Sequence, residues 1–233
     1  MSTIKTYFSH YEDELTIASE AFYAWKKIHN LAQHDISICS AIDRNALFWT
    51  LILHSLQCTF FITLGRIFDT DDDSLTVKTL LEYCKNNIHD FSKANLRARK
   101  IEMCGNNEPD WLEKYMQDVY EPCENDFQVV QDYVDKQREI FNKCKIIRNK
   151  IYGHADRETK GRENELFKKI NLDEIQSMLE NLHAVRMFLH HLIYNGYKFD
   201  LKDLVKSYDE KICEDIENLM ATLKSFSSQQ SKI

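Results

Sequence analysis

Asn45 to Leu64 reads NALFWTLILHSLQCTFFITL. Apolar side chains recur along it at spacings of three and four, the period of an α-helix. Trp49, Leu53, Leu56, Phe60 and Leu64 form one stripe, and Leu47, Leu51, Cys58 and Phe61 form another. With its flanks, the helix predicted here runs from about Ala41 to Phe68, roughly 40 Å at 1.5 Å per residue. A helix apolar almost all round belongs at the centre of a bundle. Its length would also suit a membrane span, but Asn45, His54, Ser55 and Gln57 interrupt the apolar runs. A buried core helix is therefore the reading, and no membrane contact is expected.

The composition around this helix agrees with it. The chain has 233 residues, of which five are glycine and two are proline. Turn-dense β architectures need turn formers every eight to twelve residues or so, and this chain lacks them. Gly65, Gly105, Gly153, Gly161 and Gly196 lie too far apart to build a dinucleotide fingerprint or a P-loop. Hydrophobic residues make up 43% and aromatics 12%, enough for a packed core. Seven cysteines without a C-x-x-C pair are expected to be free thiols, mostly buried. The acidic opening residues Glu12, Asp13, Glu14 and Glu20 do not resemble a secretory signal, and a cytoplasmic location is expected.

Helical periodicity also covers residues 3–31, 75–85, 91–103, 111–120, 125–152, 172–194 and 202–223. Asp73 or Ser74 is placed to cap the helix from Leu75, and Pro109 to start the one near Trp111. The fold expected is an all-α helical bundle. One domain spans 1–226 with 70–124 as an elaboration, and 227–233 form a flexible tail.

Several motifs fail on inspection. Asp69, Asp71 and Asp73 alternate as in a calcium loop, yet Ser74 stands where glycine is required and Leu80 where glutamate is required. His183, His190 and His191 share one helix without a zinc spacing, so they read as partly buried histidines and no metal is expected. No nucleophile elbow or Cys/His pair is present.

Lys143 to His154, KCKIIRNKIYGH, is the informative segment. On a wheel centred on Cys144, the apolar face holds Tyr133, Ile140, Ile147 and Ile151, and Arg148 falls about 40° from that centre. A guanidinium among isoleucines needs a buried anion, a partner subunit or a cleft that admits a ligand. His154 would flank the same face about 80° off centre, some 120° from Arg148 on a straight helix. A left-handed Gly153 would redirect His154 off the axis. A second copy across a two-fold axis would also bring the groups together.

Arg148-Asn149-Lys150-Ile151-Tyr152-Gly153-His154 resembles the R-x(4 to 6)-H motif of the HEPN superfamily (higher eukaryotes and prokaryotes nucleotide-binding). Gly65 to Asp69 (GRIFD) with Ser74 to Leu81 (SLTVKTLL) resembles its abortive-infection type U, or AbiU-like, branch. The resemblance implies an up-and-down HEPN core with additional helices and a metal-independent endoribonuclease, often a toxin or phage-defence effector, that needs no cofactor. It further implies a homodimer, with an antitoxin protein as a possible partner, RNA as substrate and no DNA. In that scheme His154 is the general acid/base, Arg148 stabilises charge on phosphorus and Asn149 orients the phosphate or His154. The alternative is a HEPN-like bundle without catalysis that binds RNA or protein, in which Arg148 closes an ion pair with Asp69 or Asp43.

Charge resolved along the chain bears on this choice. The net charge is −7, yet Lys143 to Lys169 holds nine Lys/Arg against four Asp/Glu. Lys145, Lys150, Arg157, Lys160 and Arg162 are the candidate RNA contacts. Lys93, Arg97, Arg99 and Lys100 form a second basic group.

Overall fold

The computed structural model describes residues 3–69, 71, 73–153, 161, 163–202 and 210–230. Among these the chain forms an all-α bundle of eleven α-helices without a strand. They are α1 Thr3–His34, α2 Ile36–Arg44, α3 Ala46–Ile67, α4 Val77–Asn86, α5 Lys93–Met103, α6 Leu112–Gln117, α7 Glu124–Asp135, α8 Arg138–Ile147, α9 Glu163–Phe167, α10 Leu172–His190 and α11 Glu210–Gln230. A 3₁₀ turn covers Ile88–Phe91, and π-helical turns at Arg148–Gly153 and His191–Asn195 extend α8 and α10.

Two of the long predicted helices are broken, the second by a polar side chain that competes with the helical ladder. The helix expected from Ala41 is two, α2 and α3, divided at Asn45 (φ −123°, ψ 42°). The carboxylate of Asp35 opens α2 by accepting from the Ser37 N–H at 2.9 Å. The helix expected over 125–152 divides at Lys136 and Gln137. There the Gln137 side-chain amide donates to the Tyr133 carbonyl at 3.3 Å, and its own N–H turns to Val134 O at 2.9 Å. The start of α4 is also corrected. Thr76, rather than Asp73 or Ser74, is its cap, accepting from the Thr79 N–H while Thr79 Oγ1 accepts from the Thr76 N–H at 2.9 Å. Asp69 and Asp71 instead accept from the N–H groups of Asp71 and Asp73.

The chain resolves into two compact units. The first comprises Met1–Asp13, Arg66–Lys143 and Lys169–Val205. Its core is built from Phe8, Leu80, Leu81, Leu96, Leu112, Phe127, Met178 and Leu182, all buried, with α7 packed on α4 and α10. Gly196 ends the π-helical turn after α10 at φ +55°, and a Cβ there would stand 2.5 Å from Leu96 Cδ2 and 2.7 Å from Val119 Cγ1. Glycine is thus required twice over, by the left-handed conformation and by the close approach.

The second unit comprises Glu14–Gly65, Cys144–Lys168 and Lys206–Ile233. Ile28, Ile38, Trp49 and Met220 form a buried cluster where α2 meets α11. Lys224 Nζ holds Asp35 Oδ2 at 2.7 Å beside it.

One expectation about α3 fails. Trp49, Phe60, Phe61 and Leu64 are buried, but Leu47 is 91% exposed, Phe48 57% and Leu51 61%. The covering helices reach one side of its first half only, so the outward stripe remains bare. By length and composition α3 is a helix able to cross a membrane. The cysteines differ from expectation as well. All seven are free, but only Cys84 and Cys144 are buried, and Cys104 and Cys123 are exposed.

Candidate active site

α8 is amphipathic, with Phe141, Cys144 and Ile147 buried at three-residue spacing. Arg148 then opens a π-helical turn that runs to Gly153. Such turns insert one residue into an α-helix and are frequent at functional sites. Gly153 suits this turn because a Cβ there would meet the Arg148 carbonyl oxygen at 3.2 Å. The left-handed Gly153 expected from sequence is therefore corrected. Positive φ occurs at Gly105, Gly161 and Gly196, and Gly153 takes part in the π-helical turn.

The wider turn places two side chains against α3. Tyr152 stacks on Phe61 with ring centroids 5.4 Å apart and 19° between planes. Its hydroxyl donates to Gln57 Oε1 at 3.2 Å, and the His54 ring lies 5.6 Å away. Burial pushes the Tyr152 hydroxyl up to about 12, so it is neutral at physiological pH and serves as an anchor. Four residues earlier, Arg148 lies against Gly65, with Cδ and Nε both 2.7 Å from where a Cβ would stand. His54, Gln57, Phe61 and Gly65 recur at three- and four-residue spacing and share one stripe of α3. The turn runs antiparallel along that stripe, with Arg148 at its Gly65 end and Tyr152 at its Gln57 end.

Arg148 is half-buried, Asn149 is exposed, and Lys145 and Lys150 are half-buried. Among the described residues of its unit no carboxylate forms a salt bridge with Arg148, so the ion pair with Asp43 does not form. His154, Arg157, Lys160 and Arg162 lie outside the described residues.

A family model described as AbiU2 (HEPN_AbiU2) matches residues 1–216. The chain belongs to the HEPN AbiU2 family. It is thus an abortive-infection HEPN-like protein, and the match takes in both the Gly65 to Asp69 segment and the whole R-x5-H motif. No curated protein and no solved structure matches the chain.

The structure narrows the basic surface of this AbiU2 protein. Lys143 Nζ is 3.1 Å from Glu174 and 3.8 Å from Glu139, which removes it from the pool of free cations. In the second basic group, Arg97 is held by Glu108 and Glu113, and each carboxylate raises its affinity for the proton. Arg99 Nη1 donates to the Asp90 carbonyl at 2.7 Å, and Lys100 sits over the Tyr115 ring at 5.1 Å. Arg97, Arg99 and Lys100 of that group are thus committed to internal contacts.

Of the three histidines, His183 is buried in α10, while His190 at its end and His191 in the π-helical turn are half-buried. Burial, reinforced by the charge of Arg186, brings His183 down to about 3, and burial lowers His190 and His191 as well.

Sequence reasoning missed Gly65, Gln57, Phe61 and Tyr152 as parts of the site. A signal was present, since a glycine inside an apolar helix costs about 1 kcal/mol against alanine and calls for a packing reason.

Proposed function

We propose that this AbiU2 protein is a metal-independent endoribonuclease acting as a toxin or phage-defence effector in the cytoplasm. The observation that carries the proposal is Arg148, a cation laid along α3 at Gly65 without a carboxylate partner among the described residues of its unit, with Asn149 exposed beside it. An arginine so placed suits the planar, bidentate recognition of a phosphate.

The chemistry is transesterification within the RNA. The ribose 2′-oxygen attacks the adjacent phosphorus, its proton passes to a base, and the bond to the 5′-oxygen breaks as that oxygen gains a proton. The products are a 2′,3′-cyclic phosphate and a 5′-hydroxyl. His154 shuttles the proton, as an imidazole titrating near neutrality can. Arg148 neutralises the extra charge on phosphorus, and Asn149 orients the phosphate or His154. Lys145, Lys150, Arg157, Lys160 and Arg162 supply sequence-independent attraction to the backbone.

Incubating the purified protein with total RNA in chelator tests this directly. Fragments ending in cyclic phosphate are expected, and His154→Ala is expected to abolish them at unchanged helicity by circular dichroism. Cleavage undiminished in that variant, or lost with chelator, overturns the assignment.

The exposed stripe of Leu47, Phe48 and Leu51 is read as the contact with a second copy, since an apolar patch of this kind on a soluble helix marks an interaction site. Leu51→Glu is expected to halve the mass measured by light scattering. A native chain that is already monomeric at micromolar concentration sinks the dimer. A cognate antitoxin protein, if encoded, would cover the Arg148 surface.

A further inference from the structure

Gly65 is buried near the end of α3, where its φ is not positive. Backbone freedom is therefore not what glycine supplies there, and alanine would form the helix better. Close approach is the remaining reason. A Cβ at position 65 would lie 2.7 Å from both Cδ and Nε of Arg148 and 3.1 Å from Cζ, against 3.4 Å or more for ordinary contact. The arginine can lie flat on α3 only because this residue carries a hydrogen.

The rest of the stripe fixes where that seat falls. Tyr152, stacked on Phe61 and bonded to Gln57, sets the height of the π-helical turn on α3. The Arg148 side chain leaves the turn at its other end and meets α3 at Gly65. With one end of the turn anchored and the other seated, the guanidinium is restricted to one path along the helix.

We infer that Gly65 is a positioning residue for Arg148, its absent side chain forming the seat on which the guanidinium is preorganised for the scissile phosphate. The inference rests on Arg148 acting in the ribonuclease reaction proposed above. Its physical basis is that a catalytic group gains most when its geometry is set before the reaction, and a misplacement of one ångström can cost about 10²-fold.

The test is a cycle of Gly65→Ala, Arg148→Ala and the double variant, read by single-turnover cleavage of a defined RNA and by thermal unfolding. Alanine at position 65 collides with a flexible side chain and favours helix, so Tm is expected to hold or rise. Its cleavage rate is expected to fall about 10²-fold at an RNA affinity near native. The double variant is expected to be no slower than Arg148→Ala alone, because both act through one group. In an Arg148→Lys background, where no planar guanidinium has to be oriented on α3, Gly65→Ala is expected to cost less than in the native chain. A native rate in Gly65→Ala with an inactive Arg148→Ala overturns the seat and leaves the ribonuclease reading intact. A native rate in Arg148→Ala overturns that reading instead. Additive losses, or a Gly65→Ala protein that unfolds at lower temperature, also overturn the seat, since alanine would then act on the fold rather than on the arginine.

Discussion

Arg148→Ala is expected to slow RNA cleavage by about 10²- to 10³-fold, the range seen when one donor to a developing oxyanion is removed. Its effect on Tm is expected to be small. Breaking a buried ion pair leaves an uncompensated charge and costs about 3–5 kcal/mol. Arg148 has no carboxylate partner among the described residues of its unit, so truncation strands none there. Arg148→Lys separates charge from geometry, because lysine keeps the cation and loses the planar fork. An intermediate rate is expected for it, with the deficit in the chemical step rather than in RNA affinity. Single-turnover kinetics beside thermal unfolding decide the matter. A variant with a native rate and a Tm lower by many degrees would make Arg148 a packing residue.

Acidification is expected to destabilise the fold well before its carboxylates protonate. His183 is 1% exposed and its imidazole is held at about 3, with His190 and His191 also lowered by burial. In the unfolded chain each titrates near 6.5. Below that value the unfolded state binds protons that the folded state refuses, so stability is complete above about pH 6.5 and declines as pH falls. The slope approaches about 1.4 kcal/mol per pH unit for His183 alone, and the other two steepen its upper end. Asp126 acts lower down. Burial opposes its ionisation, but Lys198 at 2.7 Å and the Tyr120 hydroxyl hold it at about 2, so its contribution is lost only below the ordinary carboxylate range. Urea unfolding between pH 7.5 and 4.5 therefore reports the histidines, and His183→Gln should flatten the profile. A native chain equally stable at both ends would contradict the burial of His183.

The elements show which parts of this AbiU2 protein are legible from residues alone. Period 3.6 finds the helical stretches, because burial of one face repeats locally, although α11 runs on past the predicted 223 to Gln230. Boundaries are less legible. Thr76 prevails over Asp73 and Ser74 as the cap of α4 because Thr79 reciprocates its hydrogen bond. The break at Gln137 depends on its side-chain amide meeting the Tyr133 carbonyl and on Asn181 donating to it from α10 at 3.2 Å. For α3, an apolar sequence suggests burial all round, and the exposed Leu47 and Leu51 show that composition does not specify how many neighbours a helix has.

The same division applies at the site. Sequence by itself determined the helical class, the family resemblance and the identity of Arg148, Asn149 and His154 as the motif to test. These depend on residue type and on spacing along the chain. Tertiary structure alone decided that the helix widens into a π-helical turn at Arg148, that Tyr152 anchors this turn to α3, and that Gly65 is where the arginine lies. The physical reason is distance along the chain. Gly65 and Arg148 are far apart in sequence, and the space a missing side chain leaves has meaning only once another helix has been packed against it.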